Sequence, residues 1–562
     1  MKKYLLPFLV VLITLLAFVL RFCKVTQDPP SLNWDEVSIG YNAYSILKTG
    51  RDEWGKLLPA HFKSYGEYKL PAQIYASIPG IAIFGLNELG VRITPAIYGT
   101  LTVLLLYFLA KEIFKNEWTA LISSFFLAIS PWHIQLTRAS FESSFSVFWV
   151  TLGAWLFIKG FTQHQNGGAG FTNKKYWLWS TVPFIISIYT YNAARVFTPL
   201  FLVTLFLIYR KEILKNTKVV ILGLVIFALS MVPLASFVIS GEATARFNLV
   251  SINDDPGFTL RINQARGNTH LPEPLPRLIH NKVTHYVYVF VGNYLSHFTP
   301  DFLFISGAGH KQQHVQGIGE LYMIQAPFIL AGLYFLFKNK NKWRWLLVSW
   351  LLLAFIPVSA TVDSIPNALR TLLGAVPYQI FTALGIYETF KLLNRKNILR
   401  WIVIGVSVIA LGISFKGYLN NYYNIYPVLY SRDWQYGYKQ VVSFIKRHYN
   451  NYDLIVFSRT YGEPHMFTLF FLNWDPANYQ NNQNLDRFEA NQWIWVLKFD
   501  KFYFPDLGDA GTRYQDIVNA NPGKKILFIG KPGDFPDNLP KLLTINFLNG
   551  NKAFDIVEKN AK

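Results

Sequence analysis

The amino-acid sequence predicts a mostly α-helical polytopic membrane protein that ends in a smaller α/β domain. Hydrophobic residues make up 52% of the 562 residues and charged residues only 15%, whereas soluble domains carry about 25% charged residues. Long apolar runs recur over residues 1–415. The net charge of +20 is spread over the short segments between these runs rather than gathered on one face, which argues against nucleic acid as a partner.

A membrane-spanning helix needs about 20 mostly apolar residues. The first apolar run is longer than the core of a cleaved signal peptide, and Arg21-Phe22-Cys23 is not a small-residue cleavage site, so we expect it to stay as a membrane helix. The segment 71–86 is ambiguous. About eleven transmembrane helices are predicted, near residues 4–22, 91–110, 118–136, 141–158, 176–190, 196–209, 219–239, 321–337, 345–358, 369–387 and 401–415.

The distribution of basic residues predicts the orientation. With the N-terminus in the cytoplasm, the inner segments carry nineteen Lys and Arg residues and few acidic ones, as the positive-inside rule requires. The loop 240–320 balances six basic with six acidic residues, and the loop 24–90 carries seven acidic residues. Both loops are therefore predicted to lie outside a cell (plasma or inner) membrane. An odd helix number places the C-terminus outside as well.

The sequence predicts two domains, a transmembrane domain at 1–415 and an extracytoplasmic α/β domain at 416–562. In the second, apolar runs at 453–458, 493–498 and 525–530 have the length and composition of strands, and 443–448 ends a helix.

The first outer loop contains the densest group of chemically useful residues. Asp35 and Glu36 open a segment whose apolar side chains recur at helical spacing, which predicts an amphipathic helix along the membrane surface. Acidic residues also favour the first turn of any helix, because they complement its dipole. Lys69 and Arg92 follow near the outer interface, where a long cationic side chain can simply extend to the headgroups.

The order of these motifs resembles the GT-C glycosyltransferases of the protein O-mannosyltransferase-like family, which includes the lipid A aminoarabinose transferase. The resemblance covers roughly residues 1–390. It rests on Asp35-Glu36, on Tyr65-Gly-Glu-Tyr-Lys-Leu-Pro71, on Phe84-Gly-Leu-Asn-Glu-Leu-Gly-Val-Arg92, on Ser130-Pro-Trp-His-Ile-Gln-Leu-Thr-Arg138 and on Asn367-Ala-Leu-Arg370.

The resemblance implies a GT-C-type fold and transfer of a sugar, which we expect to be a hexose, from a polyprenyl-phosphate donor. The acceptor, a protein, lipid or glycan, would lie on the outer face. Asp35 matches the family's catalytic base, and Lys69 matches the lysine that contacts the donor phosphate. Glu67 stands one place away from its position in relatives, which puts its role in doubt. Relatives divide between metal-dependent and metal-independent enzymes, so a divalent metal is possible, but no cofactor is predicted.

The chemistry explains these residue types. The lipid phosphate leaves as an anion near neutral pH, so one carboxylate acting as general base is sufficient, and it contributes about 10²–10⁴-fold. Asp35 is the predicted base, with Glu36 as the second catalytic candidate. Cations stabilise the charge that develops on the phosphate. The candidates for that contact are Lys69, Arg92, Arg138, Arg195 and Arg370.

Charged residues in or beside spans are functional candidates because they are costly there. Arg138 and Glu142 are four apart, which predicts a shared helix face; an interfacial anchor or a helix–helix ion pair is the alternative. In the loop 240–320, Asn293, His297 and Asp301 are candidate substrate-binding residues. His310 and His314 have the spacing of two metal ligands, but flanking glycines and the lack of an adjacent acid make a polar acceptor-binding loop the stronger interpretation, and no metal site is predicted.

Two other functions were weighed against transfer. A lipid or polysaccharide transporter or flippase predicts internal repeats with helices broken near the midplane. The sequence shows no repeat, and the candidate charges gather at one side of the membrane. A scaffold or receptor that displays the C-terminal domain would need no ionisable cluster in the first outer loop.

Overall fold

The computed structural model describes residues 2–163, 169–171, 173–255, 257–395, 397–508 and 511–561. The chain forms two compact units. A helical unit comprises 1–23, 95–137 and 141–419, and a sheet unit comprises 24–94, 138–140 and 420–562. The sheet unit thus joins the first predicted outer loop to the C-terminal region. The boundary at 415 and 416 stays a prediction.

The helical unit is built from apolar helices. Each of the predicted spans overlaps one of them. The helices are Lys2–Phe22, Glu88–Phe114 (shared with the sheet unit), Glu117–Ala128, Pro131–Arg138, Glu142–Gly160, Lys174–Ile188, Asn192–Ile213, Thr217–Ser230, Val232–Ile239, Ala245–Val250, Phe258–Gly267, Leu275–Ile279, Lys282–Ser296, Gln325–Lys338, Arg344–Ala354, Ile356–Ser359, Ala368–Thr371, Ala375–Leu392 and Asn397–Asn420.

Among the described residues, five helices are long and apolar enough to cross a membrane. They are Tyr4–Phe22, Glu88–Phe114, Asn192–Ser230, Ala368–Leu392 and Ile398–Leu429. Helices Glu117–Ala128 and Pro131–Arg138 form a sixth span if the pair, bent by 55°, counts as one; Pro131 opens its second half, a position that a proline ring favours. The multi-pass helical architecture is confirmed, and the number eleven stays a prediction.

The sheet unit contains a seven-stranded mixed sheet in the C-terminal region, which confirms the predicted α/β character. With two short hairpins included, of which β3–β4 belongs to the helical unit, the described strands are β1 Phe62–Lys63, β2 Tyr68–Lys69, β3 Phe161–Gln163, β4 Ala169–Phe171, β5 Leu454–Phe457, β6 Asp486–Ala490, β7 Trp493–Phe499, β8 Phe502–Tyr503, β9 Lys525–Gly530, β10 Lys541–Asn546 and β11 Lys552–Asn560. The strand order in the seven-stranded sheet is β10-β11-β9-β5-β8-β7-β6. Strand β5 runs parallel to both β8 and β9, and the other neighbours are antiparallel.

The helices of the sheet unit pack around this sheet and around the first outer loop. One large apolar core spans both parts, from Val37 and Tyr41 to Phe470 and Leu527. The helices are Trp34–Thr49, Pro71–Phe84, the start of Glu88–Phe114, Tyr426–Leu429, Tyr438–His448, Pro464–Leu472, Pro476–Gln480 and Tyr514–Asn519.

The helix predicted at Asp35 is present, but the prediction that it is amphipathic and lies along the membrane surface is wrong. The helix Trp34–Thr49 is buried on polar as well as apolar sides, including Ser38 and Asn42. Helix Pro464–Leu472 packs against it so closely that a Cβ on Gly40 would meet a Phe470 ring carbon at 2.6 Å. The C-terminal region, which lies far away in the sequence, covers the face that was expected to meet the membrane surface.

Candidate active site

The best candidate for chemistry in the sheet unit is the pair formed by Asp35 and Lys69. Lys69 Nζ donates a hydrogen bond to Asp35 Oδ1 at 2.5 Å and lies 3.7 Å from Glu67 Oε1. The side chain of Asp35 is 30% exposed, whereas that of Lys69 is 3% exposed. An ammonium group is thus held below an accessible carboxylate, with a second carboxylate beside it.

The local sequence explains where Lys69 lies. Strands β1 and β2 form a tight hairpin in which Ser64 N donates to Glu67 O at 2.9 Å. Glu67 ends the turn of the hairpin and Lys69 ends β2, which brings the Glu67 carboxylate to 3.7 Å from Lys69 Nζ. Leu70 is extended, as expected before a proline, and Pro71 begins the next helix. Lys69 is therefore fixed between a hairpin and a helix start.

Glu36 and Arg92 form a second pair, which is completely buried. Glu36 closes a capping box with Asn33 at the start of the helix. The guanidinium donates to both Glu36 oxygens at 2.9 and 3.0 Å and to the carbonyls of Val25, Pro29 and Ser31 at 2.5–2.9 Å. All five N–H groups of an arginine are thus engaged within the protein. The geometry favours a structural role for both residues over the predicted catalytic and phosphate-binding roles.

Arg138 is also completely buried in the sheet unit. Its Nε donates to Tyr422 Oη at 2.9 Å, and its Nη2 donates to the Asp28 carbonyl at 2.8 Å. The rings of Tyr422 and Tyr423 lie 5.1 and 5.4 Å from the guanidinium. Burial raises the pKa of the Asp28 carboxyl, against the opposing pull of Arg138. Arg138 thereby ties the first outer loop to the segment after the last long helix.

Two buried acids of the sheet unit were not predicted from the sequence. Asn42 exchanges two hydrogen bonds with Glu53, at 3.0 and 3.1 Å, and burial raises the pKa of Glu53 to about 7. Trp493 Nε1 donates to Glu463 Oε1 at 2.5 Å, and burial raises the pKa of Glu463 to about 8. In the sequence both acids look like ordinary loop charges. Only their burial in the folded protein distinguishes these two acids from exposed loop acids.

In the helical unit, Arg195 is a cation whose Nε and Nη2 atoms find no hydrogen-bond partner among the described residues. Both atoms are buried. The guanidinium lies 4.9 Å from the centre of the Phe237 ring. A buried donor without an acceptor costs free energy, so this side chain has unused capacity for an anion.

Three other predicted residues of the helical unit share one hydrogen-bond network. Asn293 Nδ2 donates to the Thr361 carbonyl at 2.7 Å, and Arg370 Nη1 donates to Thr361 Oγ1 at 2.9 Å. Arg370 also pairs with Asp363 at 2.7 Å. His297 Nδ1 bonds to the Asn293 carbonyl at 2.7 Å, and its Nε2 accepts the Asn367 N–H at 3.1 Å. With both ring nitrogens engaged, His297 holds the segment before Arg370 in place.

The predicted shared helix face of Arg138 and Glu142 is wrong. One helix ends at Arg138 and the next begins at Glu142. The helix is interrupted between them, so the spacing of four does not place the two side chains on one helix.

Asp301 lies in a short π-helical turn, is exposed, and accepts from Ser306 Oγ at 2.7 Å.

His310 and His314 do not lie on a helix. His314 pairs with buried Glu320 at 2.9 Å. Burial disfavours the charged ring, but the Glu320 carboxylate and the Ile318 and Ser306 carbonyls together outweigh it and raise the pKa of His314. Within the described part of the chain, no three His, Cys, Asp or Glu residues are grouped as a metal ion would need.

Comparison with known proteins agrees with this architecture. Residues 11–246 match the family model of dolichyl-phosphate-mannose-protein mannosyltransferases. An uncharacterised protein of Aquifex aeolicus is 34% identical over 167 residues, which are 30% of this chain and 31% of that protein. The chain therefore aligns with less than a third of that curated relative.

Solved structures share the fold over a longer stretch. ArnT from Cupriavidus metallidurans in the apo state is 13% identical, with a TM-score of 0.55 over 98% of this chain and 97% of that chain. The same protein bound to undecaprenyl phosphate gives a TM-score of 0.53. The archaeal oligosaccharyltransferase AglB from Archaeoglobus fulgidus, in complex with an inhibitory peptide and a dolichol-phosphate, is 14% identical, with a TM-score of 0.51 over 84% of this chain and 64% of that chain.

At these identities the structural likeness establishes the fold alone. The family match and the fold together confirm the resemblance predicted from the sequence: this multi-pass membrane protein has the fold of the GT-C transferases, and its residues 11–246 carry the sequence pattern of the dolichyl-phosphate-mannose-protein mannosyltransferase family.

Proposed function

We propose that this chain is a membrane glycosyltransferase that moves a sugar from a polyprenyl-phosphate donor to an acceptor on the outer face of the cell membrane. The observation that carries the proposal is the contact of buried Lys69 with accessible Asp35 at 2.5 Å. The ArnT structure with undecaprenyl phosphate and the AglB structure with dolichol-phosphate support a donor of that class. The excess of basic residues in the inner segments supports a cytoplasmic N-terminus and an external C-terminal domain.

The pair suggests how the donor prepares the base. Without donor, the Asp35 carboxylate is occupied by the Lys69 ammonium. An incoming phosphate competes for that ammonium through charge-assisted hydrogen bonds. Asp35 is then released to take the acceptor hydroxyl proton while Lys69 meets the charge that develops on the leaving phosphate. Glu67 Oε1, 3.7 Å from Lys69 Nζ, orients the ammonium in the free protein.

Among the predicted cations of the helical unit, Arg195 is the strongest proposed phosphate contact, because its guanidinium has buried donors with no partner among the described residues. Arg370 is a weaker candidate, since Asp363 and Thr361 already engage it. Arg138 and Arg92 are proposed to hold the outer loop in shape. Asn293, His297, Asp301 and Glu142 remain proposed substrate-binding residues, and no described contact favours one of them over the others.

A transfer assay tests the function and the base together. Purified full-length protein is incubated with radiolabelled undecaprenyl-phosphate hexoses, and release of undecaprenyl phosphate is followed. The parent is expected to turn over at least one of these donors. Asp35→Asn is expected to reduce turnover by about 10²–10⁴-fold, the usual contribution of a general base.

The matched control is Asp516→Asn, an exposed acid in the first turn of another helix of the same unit. It is expected to turn over donor at the parental rate. Equal turnover by Asp35→Asn and the parent would remove Asp35 as the base. Failure of the parent with every donor and with protein, lipid and glycan acceptors would contradict the transferase function.

A further inference from the structure

A groove opens on the C-terminal sheet where two parallel strands end. Strands β5 and β8 are neighbours, with Val456 paired to Tyr503 near their carboxyl ends. The chain leaving β5 reaches Arg459, and the chain leaving β8 reaches Asp506. In α/β sheets, ligands bind outside the carboxyl ends of parallel strands. The groove has a volume of about 350 Å³ and lies at that edge.

The wall of the groove is aromatic and carries a cation. Phe488 on β6 and Trp495 on β7 are directly opposite each other in the antiparallel ladder. The Arg459 guanidinium lies 5.2 Å from the Phe488 ring and 5.0 Å from the Trp495 ring. All three side chains are only half-buried. Phe488 and Arg459 therefore line the same open space, and the Trp495 ring lies beside the guanidinium.

The Arg459 side chain is held in place without being neutralised. Its backbone N–H donates to the Pro505 carbonyl at 3.1 Å, which fixes the loop after β5. No ion pair within the described part of the chain uses its guanidinium. Asp506 lines the same groove and is exposed. A guanidinium stacked on rings keeps the edge of its N–H fork available for a carboxylate or phosphate.

The aromatic surface continues from the groove toward Asp35, within the sheet unit. Trp495 and Trp493 lie 6.2 Å apart along β7. Trp493 stacks on Tyr65 at 5.7 Å and lies 6.1 Å from Trp34, the residue before Asp35. A chain of rings thus connects the groove with the proposed base.

We propose that this groove binds an oligosaccharide that carries an acidic group, with a sugar ring packed against Phe488 and its anion paired with Arg459. Flat amphipathic rings suit sugars, whose faces are apolar and whose edges are polar, and exposed Asp506 is placed to accept from hydroxyl groups. The assignment of this ligand as the transfer acceptor rests on the proposed function. The binding itself does not.

The test measures binding without any donor, so that its failure is separate from a failure of transfer. Trigalacturonic acid is titrated into full-length protein in detergent by isothermal titration calorimetry at low salt. Its methyl ester, with the same rings and no charge, is the control ligand. The parent is expected to bind the acid about tenfold more tightly than the ester, because a charge-assisted hydrogen bond is lost with the ester.

The variants separate stacking from charge. Arg459→Gln is expected to weaken binding of the acid about tenfold and leave the ester unchanged, whereas Arg459→Lys keeps part of the preference. Phe488→Ala is expected to weaken both ligands, because Phe488 lines the groove. Arg447→Gln, at an exposed helix end of the same unit, is the matched control and should bind as the parent does. Thermal unfolding checks that each variant is folded.

Three results would overturn the proposal. One is absence of binding by the parent at millimolar trigalacturonic acid. Another is equal affinity of the parent and a folded Arg459→Gln variant for the acid. The third is displacement of the bound sugar by an equal concentration of an acidic peptide, which would assign the groove to peptides instead.

Discussion

Asp35 and Glu36 are neighbours in the chain, carry the same chemical group and each contact one cation, yet their surroundings differ completely. Successive residues of a helix point about 100° apart. Asp35 therefore faces an open side, with 30% of its side chain exposed and one lysine as partner. Glu36 faces the interior, where Arg92 binds both of its oxygens and the exposed fraction is zero.

The difference in exposure and partners indicates which of the two carboxylates can react and which one stabilises the fold. A buried carboxylate that is bound by two guanidinium N–H groups and two backbone N–H groups has no oxygen available for a substrate proton. A half-exposed carboxylate with a single ammonium can exchange that partner for a ligand. We therefore propose that the two acids of the Asp-Glu motif have different tasks, the first in the reaction and the second in holding the shape of the loop 24–90.

The largest expected effect comes from breaking the buried pair. Arg92→Ala leaves Glu36 buried and unpaired, together with the carbonyls of Val25, Pro29 and Ser31. Loss of one partner of a buried ion pair costs about 3–5 kcal/mol, so we expect a sharply lower midpoint of thermal unfolding and poor yield. Arg447→Ala, an exposed arginine of the same unit, should unfold as the parent does. A parental midpoint for Arg92→Ala would contradict the architectural role.

The sequence predicted the fold and the candidate residues, but it did not show that Asp35 and Glu36 have different surroundings. Charge deficit and apolar spacing predicted the helical membrane architecture, and strand-like runs predicted β5, β7 and β9. The order of the motifs resembled a known family, and that resemblance predicted Asp35 as the base and Lys69 as the phosphate contact. The sequence could not distinguish Asp35 from Glu36 as the reacting acid by local pattern, because both occupy a helix first turn.

The remaining differences depend on contacts between distant segments. The helix Trp34–Thr49 has an amphipathic pattern, and only its packing against Pro464–Leu472 shows that both of its sides are buried. Glu463 became notable only through Trp493, thirty residues later. The break between Arg138 and Glu142 was equally hidden, since spacing alone assumes a continuous helix.

A smaller effect is expected from changing the pair of Asp35 and Lys69. Lys69→Ala removes the proposed phosphate contact, and we expect KM for the donor to rise about tenfold, equivalent to about 1.4 kcal/mol of lost binding. Its unfolding midpoint should change much less than that of Arg92→Ala. Lys63→Ala is the matched control, since Lys63 lies in the same hairpin and faces the Trp54 ring. An unchanged donor KM in Lys69→Ala would show that the phosphate contact is assigned wrongly.

Arg195 contrasts with Arg92, because its buried Nε and Nη2 donors have no hydrogen-bond partner among the described residues, whereas all the donors of Arg92 have one. Arg195→Gln should therefore leave the unfolding midpoint unchanged or slightly raised, since an unpaired buried donor is costly to keep. If the guanidinium binds the donor phosphate, KM for the donor should rise several-fold, by about 1 kcal/mol. A lower midpoint with parental KM would show instead that Arg195 acts only in folding.

The smallest expected effect concerns Glu463, an acid of the sheet unit that has no arginine or lysine bound to it among the described contacts. Burial raises its pKa from 4.5 to about 8, so the folded protein keeps this proton at pH values where the unfolded chain has lost it. Stability from this group is complete below about pH 4.5 and declines as pH rises toward 8. Glu463→Gln keeps the shape and cannot ionise, so its unfolding midpoint should fall less than that of the parent over this range, by a few degrees. Identical pH profiles for the two proteins would mean that Glu463 is ionised in the folded state, and that it is paired as Glu36 is.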